Sequence, residues 1–393
     1  MDYQTYRHEL ASHLGGSETT FSEDEFANRR TRVRAAMEEA SLDALLLTDP
    51  SDIFYLTGYH TFEVSVHTAL VVTGQQLILQ VPSIETGPAV VTAQVDDIIG
   101  YRWEDSNEVI DPLCDALASS GTIGIDGMSA GLRYGIISVL QERLGPSRFT
   151  EGGFVLDRIR IVKSEAELAC LKLSAAMTSA GLEAAIDAVC PGTTDNDIAA
   201  EGARALLAAG SEFMNLQAIV TSGKRSSIIH VNHRRNTIAR DESVFLEFGS
   251  AYHRYTAPMM RTAVAGKASD DMKAVADLCR QLFEALCAAM VPGKAFDEAA
   301  AQAETVLAQR QADLFFSGVY GYSVGAQFPP SWVEGTGYIA RGQSRVFEEN
   351  MVFHLPLCLR LPGQWGIGLS DTVLVTQSGA IPITDNDWQL HER

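Results

Sequence analysis

Cys190-Pro191-Gly192-Thr193-Thr194-Asp195-Asn196-Asp197-Ile198-Ala199-Ala200 is echoed by Val291-Pro292-Gly293-Lys294-Ala295-Phe296-Asp297-Glu298-Ala299-Ala300-Ala301. In both stretches a Pro-Gly pair stops one element, and an acidic, alanine-rich helix follows. Asp197, Ala199 and Ala200 in the first correspond to Glu298, Ala300 and Ala301 in the second, at a constant offset of 101 residues. Each unit then runs into β-rich sequence. A region built of two related α+β halves is the reading.

Working outward, Ser164 followed by Glu167 has capping-box spacing, and a helical pattern runs from there to about Val189. Phe154–Val162 and the Lys163-Ser164-Glu165 that follow mark a boundary, which places the domains at 1–155 and 156–393. Before it, apolar runs and amphipathic stretches alternate. Glu25–Ala40 reads as a helix, Ala44–Leu47 as a strand, and Thr48-Asp49-Pro50-Ser51-Asp52 as a turn. Next come Ala69–Thr73, Leu77–Val81, Asp97–Tyr101, Val109–Ala118, Thr122–Ile125 and Gly131–Leu144. Such alternation predicts an α/β domain on a mixed sheet.

The chain has 393 residues, 46% of them hydrophobic, enough for two cores. Asp and Glu outnumber Lys and Arg, 50 to 30, for a formal net charge of -20. That balance argues against nucleic acid or an anionic membrane as a partner, since both need basic patches. Six scattered cysteines, with no CxxC or Cys/His spacing, read as unpaired thiols in a reducing compartment. The first residues lack an apolar signal segment and no stretch reaches membrane-spanning length, so a cytoplasmic location is expected.

Four segments carry candidate chemistry. They are Thr221–His230; Val244-Phe245-Leu246-Glu247-Phe248 with a Gly249-Ser250 turn and a return over Ala251–Ala263; Gly321-Tyr322-Ser323-Val324-Gly325 with Pro329–Glu334; and Asn350–Pro356 with a strand over Gly366–Thr376. Glu247 is the sharpest signal, because an ionised acid in so apolar a strand is costly unless paired or used. The alternative is an ion pair with Arg234, Arg235, Arg254 or Arg261.

Together with Ser51-Asp52-Ile53-Phe54-Tyr55-Leu56-Thr57-Gly58-Tyr59 and Ile159–Ser164, these segments resemble the creatinase/aminopeptidase-P/methionine-aminopeptidase family over nearly the whole chain. The resemblance implies an α/β N-terminal domain plus an α+β pita-bread C-terminal domain with a pseudo-twofold repeat. Peptidases of the family hold two metals with two Asp, one His and two Glu. Those positions match Glu247, Pro258, Tyr322, Pro356 and Ser370 here, which implies no catalytic metal and no cofactor. The catalytic His of the metal-free members matches His230, otherwise a hydrogen-bonded loop histidine.

Period-two alternation extends the site. If Pro356 and Pro258 face the cavity, so do His354, Thr256 and Met260, with Arg254 near the rim. His354 either binds substrate or fills a core position, Tyr322 offers a polar tip, and Glu334 is a further ligand candidate or a solvated acid. In the metal-free members a homodimer matters, and the stretch Gly58–Glu63 would bring Phe62 of the partner subunit over the cavity.

Glu247 with the His230–Ile238 and Phe328–Glu334 segments is similar to the ectoine-hydrolysing branch. That branch opens the cyclic amidine of ectoine or hydroxyectoine, small zwitterions, to an N-acetyl-diaminobutyrate. Other activities left open are a creatinase-like amidinohydrolase acting on a guanidino acid, and a catalytically inactive peptide-binding module.

Overall fold

Asp49 accepts hydrogen bonds from the N–H groups of Ser51 and Asp52, and Pro50 occupies the first turn, so the expected turn instead starts a helix, Pro50–Thr57. Gly58 ends it in the left-handed region, φ 79°. The computed structural model describes residues 1–102 and 105–393, in two compact units, Met1–Arg160 and Ile161–Arg393.

The first unit is an α/β layer structure on a six-stranded mixed sheet. Its order is Asp97–Tyr101, Leu77–Pro82, Ala69–Thr73, Ala44–Leu47, Ile123–Ile125 and Phe149–Glu151. Ala44–Leu47 runs antiparallel to Ala69–Thr73 and parallel to Ile123–Ile125. The pleat sends Leu45 and Leu47 into one core with Val33 and Met37 of helix Glu23–Glu39. Ala44 and Leu46 enter the other, with Val109, Leu113 and Leu117 of helix Asn107–Leu117.

The division falls after Arg160, later than the sequence boundary of 155. Helix Phe154–Arg160 packs on Glu23–Glu39, and the buried Arg160 holds Asp52 at 2.6 Å within the first unit. Burial still pushes the Asp52 carboxyl up to about 7 against the pull of that guanidinium.

In the second unit the duplicated signal becomes duplicated geometry. Helices Asp195–Ala208 and Phe296–Leu307 begin at equivalent points of the two repeats. Gly192 (φ 94°) donates its N–H to the Ile238 carbonyl and Gly293 (φ 87°) donates to that of Phe347, each at 2.9 Å. Both glycines hold a left-handed conformation that a side chain disfavours. The preceding helices, Glu165–Asp187 (with the Ser164/Glu167 capping box) and Asp270–Ala289, pack on them.

Two main sheets follow. One orders His391–Glu392, Met259–Val264, Ser243–Phe248 and Ile219–Ser222; the other orders Val333–Ile339, Gly321–Val324, Val352–His354, Thr372–Thr376 and Gly379–Pro382. Leu357–Leu361 and Trp365–Leu369 pair separately. All six cysteines are free thiols, and no helix among the described residues is long and apolar enough to cross a membrane.

Candidate active site

Every residue of Ile219–Ser222, Ser243–Phe248 and Met259–Val264 is buried. Glu247 lies opposite Ile219 on one side and Met260 on the other. The pleat puts it on the face of Phe245, and Ile219, Phe245, Met260 and Cys358 form one apolar cluster. At 4% exposure, the Glu247 carboxylate has no hydrogen bond or ion pair among the described residues. The alternative ion pair is therefore absent; Arg261 instead reaches Asp385 at 3.2 Å. Burial alone pushes the Glu247 carboxyl up to about 8, leaving both its forms accessible near neutrality.

Tyr322 and His354 are cross-strand partners whose rings meet edge-to-face at 5.2 Å. The Tyr322 Oη accepts the Trp332 indole N–H at 2.9 Å and lies 2.7 Å from His354 Nδ1. On the far side, His354 Nε2 is 2.6 Å from Ser370 Oγ, which also accepts the Met260 N–H at 2.6 Å. Ser370 falls in a break between Trp365–Leu369 and Thr372–Thr376, so the expected single strand over Gly366–Thr376 is interrupted at this residue. The break frees its hydroxyl and backbone to join Met260 and His354 rather than a ladder.

Burial drives the His354 imidazole down to about 3, keeping it neutral. Burial, and after it the negative charge of Glu247, raises the Tyr322 phenol well above its usual range. Tyr322 is half-buried, and Glu247 lies near enough to act on its phenol.

The expected return strand over Ala251–Ala263 is confined to Met259–Val264. Tyr252 and Tyr255 bridge across a tight turn through His253 (φ 48°) and Arg254 (φ 69°), which bends the chain away from strand geometry. Alternation therefore does not govern Arg254 or Thr256. Arg254 is buried between the rings of Phe213 and Phe328, 4.3 and 4.2 Å from their centroids. Thr256 is buried against Asn215, whose Nδ2 donates to Thr256 Oγ1 at 2.5 Å, while the buried Asn215 Oδ1 has no hydrogen-bond partner. Asn215 lies between regular elements, where no periodic signal marks it.

The remaining candidates lie apart from this network. His230 is exposed after the short helical turn Gly223–Ser227 and makes no hydrogen bond with Glu247 or Tyr322 among the described residues. Glu334 is in a buried ion pair with Lys163 at 2.7 Å and accepts from Thr336 Oγ1 at 3.0 Å. Phe62, in the first unit, is 93% exposed.

The five positions where the resemblance calls for metal ligands hold Glu247, Pro258, Tyr322, Pro356 and Ser370. The two prolines have no side-chain donor atom, and Tyr322 and Ser370 are engaged with one imidazole. No group of three or more His, Cys, Asp or Glu that could hold a metal ion occurs among the described residues. This donor set does not fit a pair of hard divalent cations.

An α/β first unit, a duplicated α+β second unit and a buried acid on a sheet face define a two-domain hydrolase of the pita-bread fold. Residues 169–377 match the model of metallopeptidase family M24 and residues 29–162 that of the creatinase/prolidase N-terminal domain; the chain belongs to family M24. It is 22% identical over 354 residues to a Xaa-Pro dipeptidase of Pyrococcus furiosus, spanning 90% of this chain and 97% of that protein. It is 23% identical over 397 residues to an ectoine hydrolase of Halomonas elongata, spanning 94% and 98%. The crystal structure of an X-Pro aminopeptidase from Thermotoga maritima shares the fold, with a TM-score of 0.81 at 18% identity over 93% of this chain and 99% of that one.

Proposed function

We propose that the chain hydrolyses a C–N bond of a small cationic solute without a catalytic metal, and that the solute is ectoine or hydroxyectoine. The observation that carries this reading is Glu247, a buried carboxyl with no protein partner among the described residues, at a site whose remaining family positions hold two prolines and two hydroxyls engaged with His354. Full-length similarity to both an ectoine hydrolase and a Xaa-Pro dipeptidase is compatible with hydrolysis. The donor set favours the first.

An amidinium carbon is electrophilic because its positive charge is shared by two nitrogens, so no Lewis acid is needed to polarise it. The bound cation stabilises the Glu247 carboxylate and draws its proton affinity back down. Glu247 then attacks that carbon, or takes a proton from a water that does. One ring C–N bond breaks, the departing nitrogen takes a proton, and water supplies the oxygen of the resulting amide. Exposed His230 is assigned the proton transfer with solvent, and Arg254 the substrate carboxylate. Tyr322, His354 and Thr256 shape the pocket. A homodimer in which Phe62 of the partner subunit closes the cavity is part of this proposal.

The test is incubation with ectoine, creatine and a Xaa-Pro dipeptide, each with chelator or with added manganese, followed by NMR. Ring opening of ectoine in chelator, lost in Glu247→Gln, is expected. Turnover of the dipeptide alone, and only with manganese, would overturn the proposal. So would full ectoine activity in the Glu247→Gln protein.

A further inference from the structure

The Ser370 hydroxyl fixes the direction of the hydrogen bond between His354 and Tyr322. Ser370 is fully buried; its Oγ accepts from the Met260 N–H, its own N–H donates to the Met260 carbonyl at 3.1 Å, and its carbonyl accepts from Asn386 Nδ2 at 3.0 Å. The hydroxyl proton has one available acceptor among the described residues, His354 Nε2. Were that nitrogen protonated instead, fully buried Ser370 would carry an unsatisfied donor, which costs about 1–3 kcal/mol in general, whereas half-buried Tyr322 can turn its O–H to solvent or a ligand. The neutral imidazole therefore bears its hydrogen on Nδ1 and donates it to Tyr322 Oη. Trp332 Nε1, a donor only, supplies a second hydrogen to the same oxygen.

Tyr322 Oη thus receives two N–H groups, and its own O–H has no acceptor among the described residues. We propose that Tyr322 is a fixed hydroxyl donor for a carboxylate oxygen of the substrate, and that Ser370, His354 and Trp332 are its positioning residues. The chain runs Met260 N–H to Ser370, Ser370 O–H to His354, and His354 N–H to Tyr322. It begins at the residue paired with Glu247, so the donor and the acid are registered to the same strand pair. A hydroxyl aimed in this way selects a zwitterion over a bare cation, which Glu247 by itself cannot do. The substrate half of this inference rests on the function proposed above; the direction of the relay does not.

Two measurements on the full chain separate these parts. Nitrogen NMR of histidine-labelled protein, with His354 assigned through His354→Gln, is expected to show the Nδ1–H tautomer. In Ser370→Ala, at retained folding, the tautomer shifts toward Nε2–H. Binding is read with ectoine and with the same methyl-tetrahydropyrimidine ring lacking its carboxylate. Tyr322→Phe is expected to weaken ectoine roughly ten-fold or more, and the decarboxylated ring by less than about two-fold. An Nε2–H tautomer in the parent protein, or no change in Ser370→Ala, would overturn the relay. Equal weakening of both ligands would overturn the carboxylate assignment. Binding of neither ring strikes the substrate reading alone, and the tautomer still decides the relay.

Discussion

Lys163 and Glu334 meet at 2.7 Å with both side chains withdrawn from water, at 0% and 1% exposure. Lys163 belongs to the segment leading into helix Glu165–Asp187, and Glu334 to strand Val333–Ile339, whose Thr336 also donates to the acid. Removing one partner strands the other charge in a low-dielectric interior, which generally costs about 3–5 kcal/mol, whereas removing both leaves no uncompensated charge. Glu334→Leu and Lys163→Met are each expected to lower Tm sharply, and the double variant to recover much of the loss. Ectoine turnover per folded molecule should stay within about two-fold in Glu334→Gln. A large rise in KM in that variant, at unchanged Tm, would return Glu334 to the substrate.

Glu247 makes the opposite prediction for stability. Its folded carboxyl titrates at about 8 against an ordinary value of 4.5. Below the ordinary value both states are protonated and burial is free of electrostatic cost. As pH rises from there through the folded value, the unfolded chain releases a proton that the folded one retains, and stability falls. Glu247→Gln carries no such loss. The variant should exceed the parent in Tm by a few degrees at about pH 9, the gap closing near pH 5, as an ionisation penalty of at most a few kcal/mol implies. A variant less stable than the parent at the alkaline end would show that the carboxylate has a stabilising partner.

The same shift sets the pH dependence of catalysis. A nucleophile or base must be ionised, so kcat/KM should rise with pH through an apparent value near 8, the free-enzyme value for Glu247. In the complex the cationic ring favours the carboxylate, so the rising limb of kcat should lie at lower pH. Steady-state profiles with ectoine check both limbs. A kcat/KM that stays flat from about pH 6 to pH 9 would remove Glu247 from the chemistry.

Several of these features were legible in the sequence because they are local. The Pro-Gly repeats, the Ser164 cap and the alternation around Glu247 each depend on residues within a few positions, and the repeat and the cap recur as hydrogen bonds. Asp49-Pro50 announces a turn and a helix start equally well; the Asp49 side chain decided for the helix. Parity reasoning from Pro356 does not reach His354, because Pro356 lies in the gap between strands Val352–His354 and Leu357–Leu361. Parity also failed at Arg254 and Thr256, where the Tyr252–Tyr255 turn breaks the period. Lys163 and Glu334 are 171 residues apart, and no local pattern links them. The Ser370–His354–Tyr322 chain was illegible for the same reason, since it joins three strand ends.

Arg254 offers the last test, because its surroundings are costly to build. Both central residues of its turn have positive φ, a conformation typical of Asn-Gly and strained by roughly 1 kcal/mol or more for a side chain such as arginine. Burial pulls the guanidinium down to about 10, with Glu212 opposing, so it stays charged at neutral pH. The rings of Phe213 and Phe328, 4.3 and 4.2 Å from its guanidinium carbon, hold the plane of its N–H groups. An anchor for a carboxylate needs that fixed plane, and lysine lacks both the plane and the stacking. Arg254→Lys should therefore raise KM for ectoine about ten-fold while kcat changes little, and leave binding of the decarboxylated ring nearly intact. If Tm falls but KM does not move, the sandwiched arginine serves the turn rather than the substrate, and the carboxylate is held elsewhere.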